Sequence, residues 1–204
     1  MVWSISGAAQ AVASSGECTR EHRGDLVLSG DQILVISNET FCLHGNIEVR
    51  GNARLVILDS TLRMGSFSPG IWQPTVRFRV FDSASLEVRR VTMEPVTASS
   101  TGGIWINSYG SARVVLDHVV PENGVWIVPV ARDSSRMEIL GCTLMELRVA
   151  DRAHVVIQGT EVEWAVDLEY ASIANVELDG LIPGEYSYWE SPSTVPACFY
   201  LRLE

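Results

Sequence analysis

The chain has 204 residues, a hydrophobic fraction of 47% and a formal net charge of −10, enough apolar material for one large domain or two small ones. The negative charge disfavours nucleic acid and anionic membranes as partners, because phosphates and acidic lipids repel it. All 15 cationic residues are arginine, so no lysine can act as a Schiff-base residue or catalytic base. No P-loop, dinucleotide fingerprint or other cofactor motif is present, and we expect no cofactor. No stretch has the length of a membrane span.

Residues 1–23 precede the first regular strand pattern. An apolar stretch with the sequence Ala11-Val12-Ala13 is similar to a signal-peptidase site, but no basic region precedes it. Two interpretations stay open, a leader remnant and an ordered end segment. We expect residues 1–23 to cap one end of the fold.

From residue 24 onward, one strand pattern recurs in a fixed frame. Each copy has an aliphatic anchor, a second aliphatic residue two places later, a mostly small residue two places earlier, and a turn-forming residue four places earlier. The anchors are Leu34, Leu55, Leu86, Val114, Met137, Val155 and Val176. Aliphatic residues at a spacing of two predict strands with one buried face, and Gly, Asp or Ser before them predict tight turns.

A break residue follows the anchor strands, and another alternating run leads into the next turn. The breaks fall near Asn38, Asp59, Gly141, Gly159 and Gly180, and the runs are 46–50, 76–81, 103–108, 125–130, 146–150 and 166–170. Each unit therefore holds two or three short strands without room for a helix. Longer spacings place extra residues around 65–74, 95–103 and 120–124, in loops that we expect to project from one side.

Repeats of roughly 20 residues with this content are typical of solenoids, whose units stack on one another. The pattern resembles the right-handed parallel β-helix family, whose best-known enzymes are pectate lyases and polygalacturonases. The resemblance covers residues 24–182 and implies an all-β, right-handed parallel β-helix of about seven coils. An irregular antiparallel sandwich is the alternative. Residues 183–204, rich in proline and aromatic residues, are expected to form a C-terminal cap or strap.

The outward side chains of the second runs form the candidate ligand surface. Two stacked tryptophans with flanking polar groups suit a sugar chain, because pyranose rings lie flat on aromatic rings. The expected ligand-binding residues are Trp105, Trp126, Arg77, Arg79 and Asn107. If the chain is an enzyme, the candidate catalytic residues are Glu146, Asp167 and Arg148. The other interpretation is that projecting loops cover the tryptophans.

The catalytic motifs of the β-helix enzymes are incomplete in this chain. The polygalacturonase pattern needs clustered aspartates, a Gly-His-Gly segment and an Arg-x-Lys segment, and none is present. Residues 114–119 resemble the Trp-Ile-Asp-His stretch of pectate lyases only at Asp117 and His118. Asp117 is thus a candidate calcium ligand, and a corner position is the preferred interpretation of His118.

Outward residues of the anchor strands are expected to form Arg–Glu pairs between neighbouring units, with a mainly structural role. Four cysteines lack metal-ligand spacing. Pairing Cys18 with Cys42 and Cys142 with Cys198 would fasten both ends, but the sequence leaves three connectivities open.

These observations favour an extracellular or cell-surface, non-catalytic structural or interaction module. Its expected partners are copies of itself, joined end to end or laterally, or a surface polysaccharide. The alternative is a polysaccharide-binding or polysaccharide-cleaving protein, a lyase or glycoside hydrolase, that uses the outward tryptophan and acidic face. Exposed strand edges at the ends of a β-helix pair with other chains unless they are covered.

Overall fold

The computed structural model describes residues 17–65, 74–96, 102–169, 175–179, 182–183 and 188–190, which contain strands and turns but no helix. The strands are β1 (Arg20–Arg23), β2 (Leu26–Leu28), β3 (Ile33–Ser37), β4 (Thr40–His44), β5 (Ile47–Val49), β6 (Arg54–Met64), β7 (Pro74–Val80), β8 (Ser85–Pro95), β9 (Gly102–Ser108), β10 (Arg113–Pro121), β11 (Val125–Ala131), β12 (Arg136–Leu140), β13 (Thr143–Ala150), β14 (His154–Gln158), β15 (Glu161–Glu169), β16 (Asn175–Asp179), β17 (Ile182–Pro183) and β18 (Tyr188–Glu190).

The strands form two parallel sheets. Sheet 1 has the order β1-β4-β6-β8-β10-β12-β14-β16, with β3 also paired to β6. Sheet 2 has the order β17-β15-β13-β11-β9-β7-β5-β2, with β18 also paired to β15. From β5 to β17 the chain alternates strictly between the sheets. The predicted all-β class and parallel pairing are confirmed.

The seven predicted anchors pair with one another in one unbroken file across sheet 1. The pairs run from Leu34 and Leu55 at one end to Val155 and Val176 at the other. Two positions before five of the anchors stand side chains with no solvent exposure, namely Ala53, Ala84, Ala112, Ser135 and Ala153, whereas Gln32 before Leu34 is exposed. Small residues fit there because the two sheets approach closely at the turn. The Ser135 hydroxyl meets the hydroxyl of Ser108 from sheet 2 at 2.9 Å, which satisfies both groups inside the core.

The turn residue four places before each anchor has a left-handed backbone wherever the structure describes it. These residues are Gly30, Gly51, Asp82, Gly110, Asp133 and Asp151, with φ between 58° and 73°. Glycine and aspartate tolerate this region better than most residues.

Three of these turns are also joined by side chains. The carboxylates of Asp82, Asp133 and Asp151 accept hydrogen bonds from the backbone N–H of Gly51, Gly110 and Asp133, respectively, at 2.8–3.1 Å. Each aspartate thereby fastens its own turn to the turn of the preceding unit.

The strands of sheet 1 bend at a second left-handed residue. In β6 and β8, Asp59 and Arg90 have φ of 48° and 50°, and the pairing skips both. The corresponding residues elsewhere include His118 with φ 51°, which agrees with its predicted corner position, and Gly141 with φ 57°. After the bend, alternate side chains again point into the core, as Leu62 and Met93 do with no exposure.

Length variation between the units from β2 to β14 is confined to one connection. A constant spacing separates the paired positions Ile47, Phe78 and Ile106 of sheet 2 from the anchors that follow them. Another constant spacing leads from each anchor to its counterpart after the bend. In these units the extra residues therefore lie between a bent strand and the next strand of sheet 2, where the loops were predicted. The loop centres at 66–73 and 97–101 lie outside the described residues, whereas residues 120–121 end β10 and residues 122–124 form the turn that follows it.

Candidate functional site

The predicted ligand-binding residues lie on strands of sheet 2, but one prediction about their register is wrong. Arg77 pairs with Trp105, and Arg79 pairs with Asn107. On its other side Trp105 pairs with Val128, whereas Trp126 pairs with Gly103. The two tryptophans are therefore out of register by two positions and do not form the predicted stack.

The absence of a side chain on Gly103 leaves room for the Trp126 ring in this register. A Cβ atom built on Gly103 would lie 2.0 Å from the indole ring of Trp126, so the ring occupies the space that the missing side chain leaves. The sequence did contain a usable signal. The step along the chain from the anchor Val114 to the anchor Met137 equals the step from Trp105 to Val128, not the step to Trp126.

The candidate catalytic residues Glu146 and Arg148 form a packed cluster with Trp105. The guanidinium carbon of Arg148 lies 5.1 Å from the centre of the Trp105 ring, a cation–π contact. Its Nε atom donates to a carboxylate oxygen of Glu146 at 2.7 Å. Glu146 is only 8% exposed. Asp167 pairs with Arg148 through the backbone of β15.

This geometry gives Glu146 a structural task. Its carboxylate neutralises a guanidinium that is itself held against an aromatic ring. A general acid or base needs a group that reaches the reacting atom in a defined protonation state. The described contacts of Glu146 therefore favour packing over catalysis.

Two more of the predicted ligand-binding residues, Asn107 and Arg79, contact neighbouring groups. Asn107 is buried, and its amide nitrogen donates to the carbonyl oxygen of Trp105 at 3.3 Å. Arg79 lies 3.6 Å from a carboxylate oxygen of Glu48. Arg79 Nε and Trp105 Nε1 are buried without a hydrogen-bond partner in the described part of the chain. Of the predicted set only Arg77 is exposed.

The outward face of sheet 1 carries the predicted Arg–Glu pairs. Arg54 meets Glu87 of the next strand at 2.8 Å, and Arg113 meets Glu138 at the same distance. Exposed pairs of this kind contribute about 0–1 kcal/mol each. Their regular placement supports a structural role for this face.

Arg89 joins part of this face into a longer network. Its guanidinium binds Glu87 at 2.6 Å and Asp117 at 2.8 Å. Hydrogen bonding to Arg89, and then to Arg54, lowers the pKa of Glu87. The pKa of Asp117 is lowered by hydrogen bonds, first to His118 and then to Arg89.

The weak metal candidate, Asp117, is occupied by side-chain partners. One carboxylate oxygen meets His118 Nδ1 at 2.6 Å, and the other meets Arg89. Within the described ranges, no three His, Cys, Asp or Glu side chains form a group that could hold a metal ion. The contacts of Asp117 are thus those of an ion-pair network.

The cysteines divide into one bonded pair and one buried thiol. Cys18 and Cys42 form a disulfide, which fastens the chain before β1 to β4. Cys142 is a buried free thiol, and Cys198, its suggested partner, lies outside the described residues. The Cys142 sulfur accepts from the Val119 N–H at 3.4 Å, and burial raises its pKa to about 11.

Comparison with known proteins adds no family to this description. No family model matches the chain, and no curated protein or solved structure matches it. Among the described residues, no helix has the length and apolar character needed to cross a membrane.

Proposed function

We propose that this chain is an extracytoplasmic, non-catalytic structural module, folded as a right-handed parallel β-helix, that associates with a second copy of itself through its N-terminal edge. The alternation of strands between two parallel sheets and the unbroken anchor file support the β-helix. Parallel crossover connections are almost always right-handed. The Cys18–Cys42 disulfide supports an oxidising compartment, because disulfides persist there.

The observation that carries the self-association proposal is the exposed apolar surface at the N-terminal edge. The strands β1, β2 and β3 pair on one side only, with β4, β5 and β6, among the described residues. Ile33 and Val35 on β3 are 70% and 51% exposed, and Val27 on β2 is 44% exposed. Most other large apolar side chains in the described ranges are buried.

The composition of β3 strengthens this interpretation. An unpaired strand edge presents free N–H and C=O groups that another strand can bind. Natural proteins block such edges with charge, as the sequence Arg-Glu-His-Arg does on β1. The sequence Ile-Leu-Val-Ile-Ser on β3 has no charge and a strong β preference. A second copy that presents the same strand would cover both apolar edges.

Analytical ultracentrifugation across a concentration series in oxidising buffer tests this proposal. We expect wild-type chains to form dimers or longer rods, and the double variant Ile33→Lys with Val35→Lys to remain monomeric. Val120→Lys is the matched control, because Val120 is also 44% exposed but lies on β10, far along sheet 1. A wild-type monomer at every concentration, or equal association of the edge and control variants, would refute the proposal.

A further inference from the structure

A row of threonines crosses sheet 1 just after the bend. Thr40 of β4 pairs with Thr61 of β6, which in turn pairs with Thr92 of β8. The three side chains point outward and are half-buried, and their hydroxyl groups make no hydrogen bond within the described residues. Neighbouring strands lie about 4.8 Å apart, so the row offers hydroxyl and methyl groups at regular intervals.

The row lines a shallow, open cleft of about 550 Å³. On one side stands the ion pair of Arg90 with Asp59, joined by two hydrogen bonds of 2.5 and 2.9 Å. Glu39 also lines the cleft, and its carboxylate lies 3.3 Å from Arg20. Each charged wall residue thus has an opposite charge beside it, and the cleft has little net charge.

The chemistry of this lining selects among ligand classes. All of the residues that line the cleft are polar, so hydrogen-bonding groups dominate its surface. Because the cleft has little net charge while the whole chain carries −10, phosphates and polyanions are not attracted to it. Hydroxyl groups both donate and accept hydrogen bonds, and the carboxylates accept them. A ligand with many uncharged hydroxyl groups satisfies such a surface.

We propose that this cleft binds a neutral polysaccharide, with the sugar chain running across β4, β6 and β8 and its hydroxyl groups bonded to Thr40, Thr61 and Thr92. The strand pairing fixes the three threonines before a ligand arrives, which limits the entropy that binding must remove. The site is separate from the tryptophan cluster of sheet 2, and it does not depend on self-association through β3.

Affinity electrophoresis in gels that contain laminarin, mannan or xylan, followed by calorimetry on the best ligand, tests the site. The variant is the triple substitution Thr40→Val, Thr61→Val and Thr92→Val, which removes the hydroxyls but keeps side-chain shape and β preference. Thr143→Val is the matched control, because Thr143 is a half-buried residue on β13 outside the cleft. Gels with alginate or polygalacturonate report binding of acidic polymers.

We expect wild type and Thr143→Val to bind at least one neutral polysaccharide equally. The triple variant should raise Kd by about tenfold or more, because each lost hydrogen bond costs a several-fold factor in affinity. If the triple variant does not fold, Thr61→Val alone should raise Kd several-fold. Retention of full affinity by a folded triple or single variant, binding of acidic polymers only, or no neutral ligand for the wild type would overturn the proposal.

Discussion

Substitutions at Asp133 can separate two contributions of the turn aspartates to stability: their tolerance of a left-handed backbone and their side-chain hydrogen bond to the preceding turn. The backbone of Asp133 has φ of 58°, and its carboxylate accepts a 2.8 Å hydrogen bond from the Gly110 N–H. Asparagine keeps both the left-handed preference and an accepting oxygen. Glycine keeps the backbone freedom but loses the acceptor, and alanine loses both.

The magnitudes follow from these two losses. One hydrogen bond contributes about 1 kcal/mol, and a left-handed backbone costs an ordinary residue roughly 1–2 kcal/mol. Asp133→Ala should therefore lose about 2 kcal/mol. Asp133→Gly should lose about 1 kcal/mol, because relief of strain offsets the greater entropy of the unfolded glycine chain. The loss for Asp133→Asn should be under about 0.5 kcal/mol, because neither contribution is lost.

Thermal unfolding by differential scanning calorimetry measures this order. In a chain of this size 1 kcal/mol corresponds to roughly 2–4 °C in Tm, so Asp133→Ala should lower Tm by about 4–8 °C. Ser134→Ala is the control, because Ser134 is an exposed neighbour in the same turn without a left-handed backbone. Equal losses for asparagine and alanine, or none for alanine, would refute the reasoning.

Three further predictions concern stability, acid and thiol chemistry. Replacement of both Cys18 and Cys42 by serine should lower the free energy of unfolding in urea by about 3.5 kcal/mol, because the disulfide closes a loop over a separation of 24 residues. Equal urea midpoints for the oxidised and serine forms would contradict this. Carboxylates with lowered pKa stabilise the fold above their unfolded pKa, and this stability disappears as pH falls through the lowered value. Between pH 7 and 3 the wild-type Tm should therefore fall more than that of Arg89→Leu, because Glu87 and Asp117 each lose one of the hydrogen bonds that lower their pKa values, and parallel curves would exclude this role. Because burial raises its pKa to about 11, Cys142 should resist iodoacetamide at pH 8 until urea unfolds the chain, as peptide mass spectrometry would detect; rapid labelling of the native chain would contradict the burial.

The strand frame could be predicted from sequence because the same physical requirement recurs in every unit. A buried anchor such as Leu86 needs an aliphatic residue, and the turn before it needs a residue that accepts a left-handed backbone, as Asp82 does. Periodicity of this kind lies within each short segment, so it can be recognised in the sequence without knowing which strand is the partner.

The outward face was harder to predict because outward residues carry no such requirement. The alternation of inward and outward residues in the second runs suggested that Trp105 and Trp126 align, yet the observed pairing places Trp126 beside Gly103. Glu146 forms an ion pair with Arg148, whose guanidinium lies over the Trp105 ring. The spacing of these residues in the sequence does not reveal this contact.

The threonine row was missed for a related reason. The spacing from Thr40 to Thr61 is shorter than the spacing from Thr61 to Thr92, so no single repeat length connects the three residues. Only the unequal steps between successive anchors bring them into one file. A search for outward files must therefore start from the anchor frame rather than from a fixed period.

The unequal steps also indicate how this fold can change its surface without losing its core. From β2 to β14, every added residue lies in the connection from a bent strand to the next strand of sheet 2, while the other two connections keep constant lengths. Residues inserted in this connection leave Leu55 paired with Leu86. The insertion lengthens the distance along the chain equally for paired positions of sheet 2, for the anchors and for the residues after the bend, so all of these pairs stay in register. A single residue inserted between the anchor and the bend would instead shift the following side chains to the opposite face. Insertions are therefore compatible with the core in the connection from a bent strand to sheet 2. They disrupt strand register in the turn before the anchor and in the segment from the anchor to the bend.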